Sequence, residues 1–561
     1  MANLPLENRP VGCVHWSFEV KPVLINNVAF TPAEAPNQRL YLVTERIIQF
    51  CLVMYALFAP HSIAITQGSY LLGALAWGVQ LVATRNFKQL KTPADIALFG
   101  FFACCFASSI FSYNMLLSLN GLRSPAFFLA FYFVSSRTRT LRSAAFLAFA
   151  LVGSCLINVA YSGARLAIGQ GVKIDAIAST SPLADSDLQT GDVILAVDNH
   201  KVKNAQDISQ IVDSSRGRVS IDFQRKETLS STSVSRKAIK ESPGAGTERL
   251  GIVTSPGRNF RITGFYNHYE TYAEVLSLIA SLAIGLLIAV PRKASLTALF
   301  LGISALLITA ALILTSTRSG MLALGASLLV MTLASYRRRA ALLALALIAI
   351  VAPIASFELQ RSRGISFLDP QEGSTAYRLE VWREALGLIK NDPVVGIGKG
   401  SEGSLKESLG LFDNGKLPAS HFHSTPIQIA TWWGLAALIC YMSFMVVLVV
   451  ETWRTAAAAH VRNHRASWGI ALGVLGALIA FNVNSLAQFN FGDGEVVMAF
   501  WLLAGISFAV RRLEKEPRSD STSANKVQGP ESNTSDRNRF PEPEIASEST
   551  GQAAAVTQRS P

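Results

Sequence analysis

Apolar residues in this chain fall in long, nearly unbroken runs separated by short polar stretches. A run of about 20 residues matches the hydrocarbon thickness of a bilayer when it is coiled into a helix. Twelve such runs are predicted as spans: 43–62, 66–84, 94–112, 118–135, 143–161, 269–290, 295–316, 319–335, 340–357, 427–450, 467–486 and 495–511. The loops after the even-numbered runs are basic. They contain Arg85, Lys88 and Lys91; Arg137, Arg139 and Arg142; Arg292 and Lys293; Arg337 to Arg339; Arg454, Arg462 and Arg465; and Arg511 with Arg512. Excess Lys and Arg marks the cytoplasmic side of a membrane, so both termini are predicted to lie there. Arg123, near the outer end of the fourth run, departs from this pattern. It either snorkels to the interface or meets an anionic substrate.

The pattern predicts a cytoplasmic tail over 1–39, five spans in 40–161, an outer insert over 162–265, and four spans in 266–357. An outer loop over 358–426, three spans in 427–511 and a cytoplasmic tail over 512–561 complete it. The tail from 516 is rich in Ser, Glu, Pro, Gln and Asn and lacks apolar periodicity, the composition of a disordered segment. Residues 1–39 lack the apolar core of a signal peptide, so the first span is expected to insert uncleaved.

The insert changes period. Val172–Ile177, Val193–Val197 and Val219–Phe223 read as strands, with turns at Ser181-Pro182, Gly191-Asp192 and Asp198-Asn199-His200, and Ala205–Val212 as a short helix. Residues 226–262 are expected to add strands that the pattern does not assign. The run from Ser181-Pro182 through Leu188, Gly191-Asp192-Val-Ile194 and Val197-Asp198 to Val202, Asn204 and Asp207 resembles a bacterial PDZ domain. That resemblance implies a peptide or envelope-protein partner bound by strand addition. The segment corresponding to its carboxylate-binding loop, Leu166–Gly171, matches poorly, and a rigid spacer is the other reading.

Composition sharpens this outline. Half of the 561 residues are apolar and 16% are charged, too apolar for a soluble chain of this length. The net charge of +12 sits at helix ends, where it sets topology, so no nucleic-acid partner is inferred. The six cysteines show no paired spacing. Cys51, Cys104, Cys105, Cys155 and Cys440 lie in apolar runs and Cys13 in the N-terminal tail, where they read as small hydrophobes.

Chemistry-bearing residues collect at the predicted outer ends of the spans. Thr315-Ser-Thr-Arg318-Ser-Gly320 interrupts two apolar runs, and an arginine there is costly unless water or an anion satisfies it. Residues 374–390 have helical spacing, with Tyr377, Val381, Glu384 and Ala385 in one series and Arg378 and Trp382 one turn apart. Asn391-Asp-Pro393 ends that helix, and Gly396, Gly398 and Gly400 form a turn. His423-Ser424, nine residues and then Gly434 open the tenth span. His421 reads as an exposed loop residue.

These pieces, with Gly264-Phe-Tyr-Asn-His268 and Phe489-Asn-Phe-Gly-Asp493-Gly-Glu495, resemble in order and side the O-antigen ligase/polymerase family of membrane glycosyltransferases, over about 260–510. The resemblance implies an all-α polytopic membrane protein of the GT-C-like kind with a β-rich periplasmic insert, in a bacterial inner membrane. It implies transfer of a glycan from a polyprenyl-diphosphate carrier to an acceptor hydroxyl on a glycan, lipid or protein. Arginine forks suit phosphate oxygens, so Arg318 and Arg378, then Arg383 and Arg261, are the expected clamps for the diphosphate. His423 matches the family motif and is the expected general base, since a neutral imidazole accepts a proton near pH 7. His268, Asp493 and Glu495 are candidates for acceptor or structural roles. No cofactor or metal is called for: there is no HExxH and no DxD clearly on the outer side.

Three readings share the donor: ligase, repeat-unit polymerase and protein O-oligosaccharyltransferase. A glycolipid transporter would place paired charges at mid-membrane depth, whereas these spans are nearly charge-free. An intramembrane protease would need HExxH or a Ser/His pair with GxSG.

Overall fold

The computed structural model describes residues 38–85, 91–214, 217–225, 228–258, 260–291, 296–335, five positions between 353 and 360, 373–405, 410–411 and 421–516. Most of the predicted ninth span, of the loop before 373 and of both tails lies outside the described residues.

Helices α1 (Gln38–Phe58), α2 (Ile63–Thr84), α3 (Asp95–Ile110) and α6 (Leu141–Ile168) coincide with predicted spans. So do α9 (Tyr269–Ala289), α10 (Leu296–Leu314), α11 (Arg318–Ser335), α14 (Thr425–Val461), α15 (Arg465–Ser485) and α16 (Gly494–Lys515). Eight of them, α1, α6, α9, α10, α11, α14, α15 and α16, are long and apolar enough to cross a membrane. The fourth predicted span is not one helix. It divides into α4 (Met115–Gly121), a 3-10 turn (Pro125–Phe128) and α5 (Leu129–Arg137). Pro125 supplies no backbone donor and restricts the residue before it, so it favours a break between two short helices. α6 also runs past the predicted end at 161, to Ile168, taking up part of the segment matched to the carboxylate-binding loop.

α9 and α15 form the centre of the bundle, and nearly all of their side chains are buried. They approach until their backbones touch. A Cβ on Gly285 of α9 would stand 2.2 Å from the Gly473 Cα of α15. With no side chain between them, dispersion contact runs along both backbones, the usual solution where water expulsion adds little to helix association.

At one end of the bundle the basic residues meet carboxylates. Glu45 at the start of α1 takes Arg137 and Arg139, Glu451 takes Arg454 and Arg511, and Glu514 takes Arg462 and His464. Arg512 donates to the Thr138 carbonyl at 2.9 Å. The helix ends carrying the chemistry-bearing residues lie at the opposite end.

The insert folds as the sequence predicts and then continues. β1 (Val172–Ile177), β2 (Val193–Val197), β3 (His200–Lys201), α7 (Ala205–Ser214) and β4 (Arg218–Arg225) are followed by β5 (Thr228–Ser235), α8 (Arg236–Glu241) and β6 (Ile252–Pro256). The antiparallel sheet has the order β5-β4-β2-β1-β6, with β3 hairpinned onto β2. Its core is a separate cluster that includes Val172, Ile174, Ile194, Val197, Ile208, Val219, Ile221 and Phe223. β6 is an edge strand, a position that can accept a further strand.

Candidate active site

The site is assembled by one local fit. α14 contains a single residue outside helical conformation, Gly434, with φ 79° and ψ 174°. The break frees two carbonyls from the α14 ladder. The Gly-rich turn after α12 (Gly373–Asn391) satisfies them: Ile397 donates to the Thr431 carbonyl at 2.9 Å and Gly398 to the Trp432 carbonyl at 2.8 Å. Leu435 N–H returns to the Pro393 carbonyl at 2.8 Å. A Cβ at Gly434 would lie 2.0 Å from the Val394 carbonyl oxygen, so only glycine fits. The nine-residue interval after His423-Ser424 and the Pro-Val-Val-Gly-Ile-Gly turn are thus two halves of one joint. That joint holds α12 against the start of α14.

α12 carries Arg378 into the site. Val381, Ala385 and Leu388 are buried, and the Trp382 indole N–H donates to the Phe422 carbonyl at 2.8 Å. The Arg378 guanidinium bonds the Glu270 carboxylate at 3.2 Å and, through Nε, the Ala487 carbonyl at 3.2 Å. Glu270 lies in the first turn of α9 and Ala487 just past α15. One arginine therefore joins three elements around His423.

His423 sits at φ 47°, a left-handed conformation that costs a non-glycine residue energy and is found at functional sites. Its backbone N–H donates to the Nδ1 atom of His421 at 3.2 Å, and the two rings are 4.1 Å apart. The Tyr377 ring meets His423 edge-on at 5.5 Å. His423 Nδ1 is buried and meets no partner in hydrogen-bond geometry among the described residues, while the Gln488 side chain stands close enough to the ring to raise its pKa by hydrogen bonding. Burial lowers the His423 pKa below the usual imidazole value; the Glu270 carboxylate opposes that shift and the Arg378 cation adds to it. His421 is pushed down to about 4 by burial and then by His423. Both imidazoles are neutral at pH 7. His421 is therefore not the exposed loop residue that the sequence suggests, because the fold turns it inward against His423 and Phe489.

Arg318 opens α11, and its Nη2 reaches the Thr375 hydroxyl of α12 at 3.4 Å. Arg261 holds the turn leading to it, donating to the Thr315 carbonyl at 2.7 Å, to the Ser316 carbonyl at 3.1 Å and to the Thr317 hydroxyl at 3.1 Å. Its guanidinium also stacks on the Tyr269 ring at 3.2 Å. Arg383 lies about 140° around α12 from Arg378, is 76% exposed and pairs with Glu380. Arg318 and Arg378 thus share a neighbourhood, Arg261 braces the Arg318 turn, and Arg383 faces away.

Of the three remaining candidates, His268 and Asp493 are helix N-caps and Glu495 follows in a first turn. His268 accepts the Glu270 N–H on Nδ1 at 3.3 Å. Asp493 accepts from Glu495 and Val496 and takes the Thr271 hydroxyl at 2.6 Å, tying the start of α16 to α9. Glu495 stands in the first turn of α16, where a negative charge suits the helix dipole. Among the described residues no cluster of His, Cys, Asp or Glu is arranged to hold a metal ion. Five cysteines are free thiols and Cys13 lies outside the described residues.

Sequence reasoning missed Glu270 and Gln488. Glu270 stands two residues after the quoted Asn267-His268 pair and looks like an ordinary first-turn acid. Gln488 has no sequence signal beyond its place before Phe489.

Residues 303–442 match the family model described as O-antigen ligase, and residues 149–235 match that of the PDZ domain. The first match includes Arg318, Arg378, the Gly-rich turn, His423 and Gly434. The second stops before β6, which completes the sheet. No curated protein matches the chain. The chain is thus a mostly helical protein with eight helices able to cross a membrane, carrying a segment similar to the O-antigen ligase family after one similar to a PDZ domain.

Proposed function

We propose that this protein is an inner-membrane glycosyltransferase that moves a glycan from a polyprenyl-diphosphate carrier onto an acceptor hydroxyl at the periplasmic end of the bundle. The observation that carries the reading is the buried imidazole of His423 beside Glu270 and Arg378, with Arg318 reaching Thr375 one turn before Arg378 on α12. A general base needs a free nitrogen and a neutral ring, and a departing diphosphate needs fixed positive charge.

In the proposed step the acceptor oxygen attacks the anomeric carbon opposite the diphosphate. The new C–O bond forms as the old one breaks, giving inversion. The hydroxyl proton passes to His423, and polyprenyl diphosphate leaves with its charge held by Arg318 and Arg378. Glu270 has two tasks. It holds the Arg378 guanidinium in place, and its carboxylate favours the imidazolium that His423 becomes. Leaving-group charge is assigned to arginines, so the reading invokes no metal.

The acceptor is a glycan, a lipid or a protein. The PDZ domain supports a polypeptide acceptor or an envelope-protein partner, because the β6 edge offers a strand for pairing. Arg249 braces the turn before β6 by reaching Ser209 at 2.9 Å and Asp213 at 2.7 Å on α7.

Purified protein in vesicles with a polyprenyl-diphosphate glycan should release carrier diphosphate only when an acceptor is present. His423→Ala and Arg318→Ala should each lower turnover by about a hundredfold or more while folding is retained. Full activity in both variants would refute the assigned roles. Carrier-linked glycan serving as its own acceptor would identify a polymerase, and movement of intact donor without bond cleavage would identify a transporter.

A further inference from the structure

A second group of cations stands near the His423 end of the bundle, on a different face. Arg123 lies in the turn between α4 and the 3-10 segment, exposed, and makes no hydrogen bond or ion pair among the described residues. Lys399 of the Gly-rich turn lays its stem along Gly121, where an added Cβ would come within 2.7 Å of Lys399 Cδ. Its ammonium reaches the Gly121 carbonyl at 3.4 Å and lies 5.3 Å from the centre of the Trp432 ring. The nearby carboxylate, Glu402, is 8% exposed and accepts the Trp432 indole N–H at 2.9 Å. Among the described residues, Glu402 is the carboxylate that acts on Lys399, and it is already engaged by Trp432.

The contrast with the opposite end is informative. There Arg137, Arg511 and Arg462 each bond a carboxylate. Here a lysine is drawn into the protein, with burial and then Arg123 lowering its pKa to about 8. A snorkelling lysine would extend toward water instead. Beside the pair the surface carries exposed apolar side chains, Phe111 at 70% and Leu116 at 81%, with the Tyr113 hydroxyl bonding Asp392 at 3.1 Å at its edge. Side chains of this kind at a span end are covered by lipid.

We propose that Arg123 and Lys399 bind the phosphate headgroup of an outer-leaflet membrane lipid whose chains lie along the exposed α3–α4 surface. Charge selects the occupant, since a phosphate fits an excess of positive charge and a zwitterionic headgroup compensates it less. The site is also close to the chemistry. Trp432 meets Phe489 edge-on at 5.0 Å, and Phe489 lies 6.0 Å from His421. The proposal uses none of the residues assigned to glycosyl transfer and stands or falls separately.

The test is lipid retention by the full-length protein, measured by native mass spectrometry from vesicles of phosphatidylcholine doped with phosphatidic acid. Wild-type protein should retain phosphatidic acid in preference to phosphatidylcholine. Arg123→Gln and Lys399→Gln should each weaken that preference about fivefold, and Lys399→Arg should keep it. Arg123 is exposed and unbonded, so its variant should fold normally. An unchanged preference in Arg123→Gln, or no preference in wild type, would overturn the proposal. Full displacement of the lipid by an equal concentration of glycerol 3-phosphate would also overturn it, since free phosphate would then be the ligand.

Discussion

His423 combines a costly backbone conformation with a buried imidazole set beside Glu270 and Arg378. A left-handed histidine persists only where its surroundings hold it, and here the His421 Nδ1 atom takes the backbone N–H. Because the base must be neutral to act, activity should fall as pH drops through the His423 pKa. Burial lowers that pKa, so the acid limb of the kcat profile should lie below pH 6.5. Removing the carboxylate that opposes the shift, in Glu270→Gln, should move the limb to still lower pH and reduce kcat by loosening Arg378. A limb that moved upward, or stayed in place, would show that Glu270 does not act on His423. The motif made His423 and the arginines visible. It did not reveal Glu270, because a first-turn acid looks the same whether it caps a helix or binds an arginine from a distant segment.

Among elements, the break in α14 matters most. Gly434→Ala would add about 1–3 kcal/mol of backbone strain and drive a methyl into the Val394 carbonyl. The Gly-rich turn would lose its seat, and the variant should show a lower melting temperature and little activity. Gly387→Ala on α12 is the matched control: nothing lies within 4 Å of the added methyl. It should stabilise by about 0.5–1 kcal/mol, and a loss of stability there would mean that α12 does not remain helical at that point. The places of most spans were readable from apolar runs and the first strands of the insert from their period of two, while helix lengths were not: α6 runs on to Ile168 and α14 to Val461, past the apolar runs that predicted them. The divided fourth span was not, because an apolar run hides a break that Pro125 only hints at. The strands expected within 226–262 could not be assigned, and the last of them, β6, pairs with β1 across the whole insert.

For the molecule as a whole, the arginines of the basic loops find their carboxylates at one end of the bundle and the candidate site lies at the other. The predicted orientation then has a direct check. Ala245→Cys in the insert should react with a membrane-impermeant maleimide in intact cells, whereas Arg454→Cys should react only after permeabilisation. The reverse pattern would turn the protein over and place His423 inside. Removal of residues 165–258 should spare transfer to a glycan or lipid acceptor and abolish transfer to a polypeptide; equal transfer to both would make the PDZ domain a spacer.

The sequence by itself determined the membrane character, the run of spans, the inserted β domain and the order of the motifs. These depend on hydrophobicity, local period and residue type, and all three are properties of neighbouring positions. Tertiary structure decided which arginines face His423, which brace a turn and which face away. It also paired Gly434 with the Gly-rich turn and brought Glu270 to Arg378 across more than a hundred residues. Those outcomes depend on freed carbonyls finding donors and charges finding partners in distant segments, and only the packed bundle sets those distances.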